Sequence, residues 1–312
     1  MSDFPLVLSM TQFQQYRRCR KSFEYSAIRE YDPVKTSEAA SAGSSLHKLL
    51  EHAAHNAGKL PASWEDPDML AVAKEYLAKR PLPEGIISAE KGYFAEIAPN
   101  VFIRASFDLV YKDWQLVIRD YKSFAKAPSL DADFDNQAQD YLVVAEMALG
   151  TTDARFEWEY IRRELGRFLS GGKGKEAIWT PWPDEDRYIQ QTLVLSDIER
   201  ETIKRELYDC ALDIQQTIEN GRFYRTGLKS GPHGCEGCFY RGICRTEKQH
   251  GELTEQDLAL LTNPYDPAAR QDAGTIIMDP RVKHYEARGI ATSDAVLAVY
   301  GPTGIQKIKE SV

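Results

Sequence analysis

Apolar positions recur at helical spacing near the amino terminus, at strand spacing in the middle of the chain, and at helical spacing again beyond it. The stretch LSMTQFQQYRRCRKSFEYSAI, residues 8–28, reads as a helix, with Ser9 and Gln12 forming a capping box at its start. A run of small residues, SEAASAGSS, leads into LHKLLEHAAHNA, whose Leu46, Leu49 and Leu50 share one helix face. A further helix is predicted over Pro67–Lys79. After PLPEG the pattern changes: residues 86–97, 101–111 and 115–124 are β-branched and aromatic runs, separated by turns at Pro99-Asn100 and Lys112-Asp113. Residues 135–150 return to a helix that Gly150 ends. Residues 154–165 and the run ending at Trp182 read as strands on either side of a polar loop, SGGKGK, and one long helix is expected from about Asp184 to Asn220. Gly227–Cys244 is rich in glycine and cysteine and reads as irregular; Arg245–Val312 carries no strong motif. There is no repeat at solenoid or propeller periods. Helices, a strand meander, a helix and a further strand predict an α/β fold with a central mixed sheet flanked by helices.

Composition narrows the function classes more than the fold. At 312 residues the chain can bury a substantial core, as one large domain or two smaller ones. A net charge of -8 argues against a protein that coats nucleic acid by bulk electrostatics, but leaves room for a local basic groove. No apolar run approaches the roughly 20 residues that span a bilayer, and MSDFPLVLSM has no basic leader before an apolar stretch. No membrane partner and a cytoplasmic location are therefore expected. Five cysteines, an odd number, point to metal binding or burial before disulfides.

The chemistry begins with Asp108, near the end of one predicted strand, and with Asp120 and Lys122, near the end of the next. Two residues apart on a strand, Asp120 and Lys122 share a face. A short connection between antiparallel neighbours would bring Asp108 to them. Paired carboxylates bind a hard divalent cation, which lowers the pKa of a bound water, and a lysine beside them steadies charge on a phosphate. The ordinary reading of one D-x-K triplet is a solvated charged face. Here Asp120 follows the apolar Leu116-Val117-Ile118, and the next helix presents Gln137 and Tyr141 one turn apart.

Asp108, then Asp120-Tyr121-Lys122, then Gln137 and Tyr141 resemble the PD-(D/E)XK core of the RecB/AddB-type nucleases. That group includes the CRISPR-acquisition nucleases and many phage-encoded exonucleases. Its G-x-x-x-H pattern on a preceding helix is filled by Gly43 to His47. The resemblance implies a restriction-endonuclease-like α/β core and a Mg²⁺- or Mn²⁺-dependent DNA exonuclease of recombination, repair or DNA processing. The substrate would be single-stranded DNA or DNA ends, with 5′-directed cleavage favoured over 3′. His47, Asp108, Asp120 and the Tyr121 carbonyl would be metal ligands. Lys122 would be the catalytic lysine, and Gln137 and Tyr141 would orient it or contact the strand. The sequence departs from the family at Ala105-Ser106-Phe107, where many members carry glycine before the first aspartate.

Cys235, Cys238 and Cys244 have metal-ligand spacing, and Cys19 is the candidate fourth ligand. By ligand type alone, Zn²⁺ and iron–sulfur fit equally. The resemblance implies a 4Fe–4S cluster that clasps the first helix to the segment after the core. Cys210 reads as an ordinary core residue of a long helix. Arg17, Arg18, Arg20 and Lys21 surround Cys19, and Arg241 and Arg245 surround the other cysteines. Arg162, Arg163, Arg167, Lys173 and Lys175 flank the glycine-rich loop. These are candidate phosphate contacts, and a solvated surface explains any one of them as well. Tyr16, Phe23, Tyr25, Phe239 and Tyr240 could stack on bases, though core packing suits most of them. SGGKGK is not a Walker A loop, so unwinding would come from a helicase or recombination partner. The resemblance spans roughly Leu8–Arg245. Residues 1–245 are therefore expected to form the nuclease domain, and residues 246–312 an extension of unknown role. Two other readings stand beside this one: a non-catalytic nucleic-acid-binding protein with a zinc or iron–sulfur site, and a redox sensor.

Overall fold

A computed structural model describes residues 4–33, 38–126, 136–169, 178–226, 235, 237–263, 268 and 271–311. The chain begins with β1 (Leu6–Ser9), α1 (Met10–Arg18), α2 (Arg20–Phe23), a π-helical turn (Glu24–Ile28), β2 (Asp32–Pro33), α3 (Glu38–His55) and α4 (Pro67–Lys79). Then come β3 (Ile86–Ala98), β4 (Val101–Lys112), β5 (Leu116–Phe124), α5 (Asn136–Leu149), β6 (Ala154–Arg162), β7 (Gly166–Leu169) and β8 (Ile178–Pro181). The rest is α6 (Asp184–Arg187), β9 (Tyr188–Leu193), α7 (Asp197–Asn220), α8 (Arg241–His250), α9 (Glu255–Leu261), β10 (Thr262–Asn263), α10 (Ala273–Met278), α11 (Pro280–Glu286) and α12 (Thr292–Glu310).

The expected mixed sheet forms, with β4 as its organising strand. β3 pairs antiparallel along one edge of β4. The other edge is shared: β1 runs parallel to its first part, Leu6↔Val101 to Ser9↔Arg104, and β5 antiparallel to its last part, Leu109↔Arg119 to Lys112↔Leu116. Between those two ladders, at Ala105–Asp108, β4 and β5 fork. β5 continues in parallel with β6, and β6 pairs antiparallel with β9. On one face α1, α5 and α7 pack Phe13, Val143 and Leu207 against Ile103, Phe107, Phe156 and Trp158. On the other, α3 and α4 pack Leu46, Leu49, Val72 and Tyr76 against Leu109, Val117 and Tyr121. Phe107 and Leu109 belong to opposite faces, so strict alternation breaks at Asp108.

The structure corrects several sequence expectations. The first helix is broken at Cys19, whose φ of -161° and ψ of 110° are extended, although Ser9 and Gln12 do make the capping box. The four residues before it form β1. The long helix expected from Asp184 is instead a short turn, α6, then the edge strand β9, then α7. Helix α7 starts at its own capping box, Ser196 with Glu199, and ends at Gly221, whose φ of 62° suits glycine. The segment read as irregular becomes helical at Arg241. Beyond it, α10, α11 and α12 gather a small core of Ile276, Val282, Val296 and Tyr300. They dock on β3 through Thr275, whose Oγ1 accepts the Gly92 N–H at 3.1 Å. A Cβ at Gly92 would lie 2.6 Å from Thr275 Cγ2, which explains the glycine inside a strand. Among the described residues no helix is long and apolar enough to cross a membrane.

Candidate active site and a cysteine cavity

The fork between β4 and β5 brings the predicted acids together. The β4–β5 register stops at Leu109↔Arg119, so Asp108 and Asp120 are the next facing pair, just beyond the last ladder rung. Asp108 bridges the opening: its Oδ2 accepts the Tyr121 N–H at 2.6 Å. His47, from α3, reaches the same oxygen with Nδ1 at 3.2 Å. Gly43 lets α3 lie close to β5, where a Cβ would come within 3.2 Å of Ser123 Oγ. Lys122 Nζ pairs with Asp120 Oδ2 at 2.8 Å and lies 4.6 Å from the centroid of the Trp158 ring. On α5, Gln137 hydrogen-bonds the Tyr141 side chain, and the Tyr141 ring packs between Phe107 and Phe156.

One member of the group was not anticipated. Glu90 on β3 lies between the register pairs Ala89↔Leu109 and Lys91↔Phe107, which puts it opposite Asp108. Its Oε1 is 3.8 Å from His47 Nδ1. Donor atoms of His47, Glu90 and Asp108 all lie within 4.8 Å of one another. Asp120, held by Lys122, stands outside that group. In sequence, Glu90 looks like one more solvated charge in SAEKGYFAE. The signal that finds it is the hairpin itself: folding about Pro99-Asn100 places position 90 across from position 108.

The electrostatics reflect crowded negative charge. Burial and the neighbouring Asp120 push the Asp108 carboxyl up to about 7 against the pull of His47. Burial opposes charge on His47, yet Asp108, Glu90 and Asp120 together lift it to about 11. Burial likewise opposes charge on Lys122, but Asp120 and Asp108 hold its ammonium well above the usual range. Glu90 resists burial and is held below its usual value by His47. Without a cation, the crowding favours protons on His47, Lys122 and Asp108.

The cysteines gather elsewhere. Cys19, at the break between α1 and α2, Cys238, in the turn before α8, Cys244, in its first turn, and Cys235 line one cavity of about 490 Å³. All are free thiols. Burial raises the Cys238 thiol, and Cys19, Cys235 and Cys244 each raise it further, so the other three act on one sulfur. No three of these sulfurs are among the described groups of donors within 4.8 Å of one another. Cys210 sits apart on α7 and packs against the larger core, where burial raises it to about 11.

The basic candidates separate by environment. Arg18, Arg241 and Arg245 are exposed along the cysteine cavity. Arg17 pairs with Asp140 at 2.7 Å and Arg20 with Asp213 at 2.5 Å. Arg162 is buried; its guanidinium donates to the carbonyls of Ala125 and Asp186 and stacks on Trp182 at 4.1 Å. Such a side chain is committed to the fold, and Arg163 beside it is half-buried. Arg167 is exposed over the other reach of Trp182. Lys173 and Lys175 lie outside the described residues. Of the aromatic candidates, Tyr16, Phe23, Tyr25 and Tyr240 are buried, and Phe239 is 60% exposed.

A family model described as the PD-(D/E)XK nuclease superfamily matches residues 7–102 and 86–245. No curated protein matches significantly. Two solved structures resemble the chain at low identity. The protein SSO0001 is 14% identical, with a TM-score of 0.38, and the match covers 80% of this chain and 88% of that one. A protein from Eubacterium rectale, provisionally named an exonuclease, is 13% identical, with a TM-score of 0.45 and coverage of 80% and 89%.

Proposed function

The chain belongs to the PD-(D/E)XK nuclease superfamily, and from that premise we propose that it is a metal-dependent deoxyribonuclease. It hydrolyses phosphodiester bonds of single-stranded DNA or DNA ends as an exonuclease, 5′-directed, in recombination, repair or DNA processing. A partner helicase supplies any unwinding. Residues 1–245 carry this activity and residues 246–312 are an extension. The observation that carries the reading is the convergence of His47, Glu90 and Asp108 within 4.8 Å, beside the Asp120–Lys122 pair.

The donor set fits Mg²⁺ or Mn²⁺: carboxylate oxygens dominate it, with one imidazole. His47, Glu90, Asp108, Asp120 and the Tyr121 carbonyl would hold the ion, and its chemistry there is to lower the pKa of water and neutralise phosphate charge. Lys122, paired with Asp120 at 2.8 Å, would place a positive charge beside the developing phosphorane. Trp158 supports it from beneath, and the Asp120 pairing limits its freedom. The Asp108–Tyr121 hydrogen bond keeps the fork at one width, which holds the carboxylates in register. Gln137 fixes the Tyr141 hydroxyl on the α5 side, where it faces the same charges.

The four thiols that line the cysteine cavity fit either a 4Fe–4S cluster or Zn²⁺ by ligand type, and the resemblance of the cysteine arrangement to the iron–sulfur branch of the family favours the cluster. Visible absorbance and iron content of the purified protein decide between the two.

The test of the activity uses end-labelled single- and double-stranded DNA with Mg²⁺ or Mn²⁺. Cleavage by the wild type, lost in Asp120→Ala and Lys122→Ala, supports the proposal. DNA binding with no metal-stimulated cleavage overturns it in favour of a non-catalytic binding protein.

A further inference from the structure

Arg225 lies on the segment that leaves α7 and passes along the cysteine cavity. Its Nε donates to Cys244 Sγ at 3.2 Å, and its Nη2 pairs with Glu247 Oε2 at 2.9 Å. Glu247 is buried and held on every side. The Tyr25 hydroxyl donates to it at 2.7 Å, and Lys21 and Arg29 each pair with it at 3.0 Å. That carboxylate fixes the plane of the Arg225 guanidinium and leaves its Nε edge for the sulfur. The adjoining residue does the same for another cysteine: the Thr226 backbone N–H and hydroxyl both bond Cys19. Residues 225 and 226 thus serve the two cavity cysteines farthest apart in sequence.

We propose that Arg225 is a positioning residue for the cysteine-bound cluster, donating to the Cys244 thiolate and thereby setting the cluster's reduction potential and its retention. The inference rests on the 4Fe–4S reading above. Reduction adds negative charge to the cluster, and a positive donor on a ligating sulfur stabilises that charge, so the potential rises. Arginine suits the task because its planar, permanently charged fork can serve a carboxylate and a thiolate at once. A purely structural Arg225 would satisfy Glu247 and leave the potential alone. Glu247 keeps Tyr25, Lys21 and Arg29 when Arg225 is changed, so the fold around it has support of its own.

The experiment takes the full chain, reconstituted anaerobically with iron and sulfide, as wild type, Arg225→Leu and Arg225→Gln. Midpoint potential is read by dye-mediated titration, and cluster loss by bleaching of the visible absorbance in air. Both variants are expected to titrate at a lower potential than wild type. Bleaching should accelerate roughly tenfold in Arg225→Leu, equivalent to about 1.4 kcal/mol. Arg225→Gln keeps a polar partner for Glu247, so it carries the test if the leucine variant does not fold. Wild-type potential and bleaching rate in a folded variant overturn the assignment of Arg225. A wild type that holds zinc, or no iron, overturns the cluster reading first and is recognised before any variant is compared.

Discussion

Adjacent positions of β5 point into two charge clusters of opposite character. Arg119 faces the α3 side, where it pairs with Glu157 at 2.7 Å; Arg155 pairs with Glu157 and Asp113, and Arg80 with Glu159. Three guanidiniums meet three carboxylates, and the Tyr111 hydroxyl gives Glu157 a further donor at 2.8 Å. Asp120, the next residue, faces Lys122 and the fork, where Asp108, Asp120 and Glu90 crowd against Lys122 and His47. The first cluster is balanced and holds strands in place. The second crowds three carboxylates against one lysine and one histidine, a surplus that the proposed metal ion would offset. Balance fits a structural network and surplus fits the proposed metal site, a distinction that burial alone does not make, since Glu157 and Asp108 are both well covered.

The largest expected effect tests the surplus. Asp108→Asn should lower nuclease activity on the order of a thousandfold or more by removing a proposed metal ligand and its charge. It should also raise the metal-free melting temperature, because the amide no longer repels Asp120 and Glu90. Activity assays and calorimetry on the same preparation read both. A fall in melting temperature would place Asp108 among the structural pairs and dissolve the contrast.

Glu157→Gln should do the reverse. It strands Arg119 partly buried, which costs about 3–5 kcal/mol in a site of this kind, while Arg155 keeps Asp113 and activity per folded molecule is unchanged. The pH dependence follows from the sign of the shift. Burial works against Glu157, but Arg119, Tyr111 and Arg155 outweigh it and hold the carboxyl below its usual 4.5. Its contribution is therefore present above pH 4.5 and is lost as pH falls through the lowered value. The variant should show a flatter acid limb in a stability-versus-pH series than the wild type.

Only the acidic side of this contrast could be read from the chain, and the remainder shows where sequence reasoning stops. Alternation placed Asp120 and Lys122 on one face, and two short turns delimited β3, β4 and β5 almost to the residue. His47, Asp108, Asp120 and Lys122 do converge. Glu90 escaped because its partner is set by hairpin register, and its own φ of 50° and the break in alternation at Asp108 have no local signature. β1 escaped because four residues are too few to show a period, and their partner lies in β4, far along the chain. β9 was absorbed into a helix because Tyr188, Ile189 and Leu193 fit either spacing. The break at Cys19 answers to the cavity it lines, since its flanking residues all tolerate a helix. The C-terminal helices gather a small core of their own, around Ile276, Val282, Val296 and Tyr300, which no motif announces.

Glu90→Gln sharpens the comparison from the newly found side. Its carboxylate belongs to the surplus, so metal affinity should fall roughly 10- to 100-fold with little change in melting temperature. Calorimetric titration with Mn²⁺ measures it, and an unaltered isotherm would return Glu90 to the solvated surface.

The smallest effect asks whether the support of Glu90 extends to the C-terminal helices. Thr275 accepts the Gly92 N–H two residues beyond Glu90, which pins α10 to β3, and donates to Asp272 Oδ2 at 2.5 Å within the cap of α10. Thr275→Val keeps the shape and removes both bonds, at a cost of about 1 kcal/mol. If α10 helps aim Glu90, Mn²⁺ affinity should weaken roughly twofold, less than in Glu90→Gln because the carboxylate is still present. A stability loss of that size with unchanged Mn²⁺ affinity would make the C-terminal helices a cover for the β3 edge alone, and would confine the site to the fork and the strand opposite it.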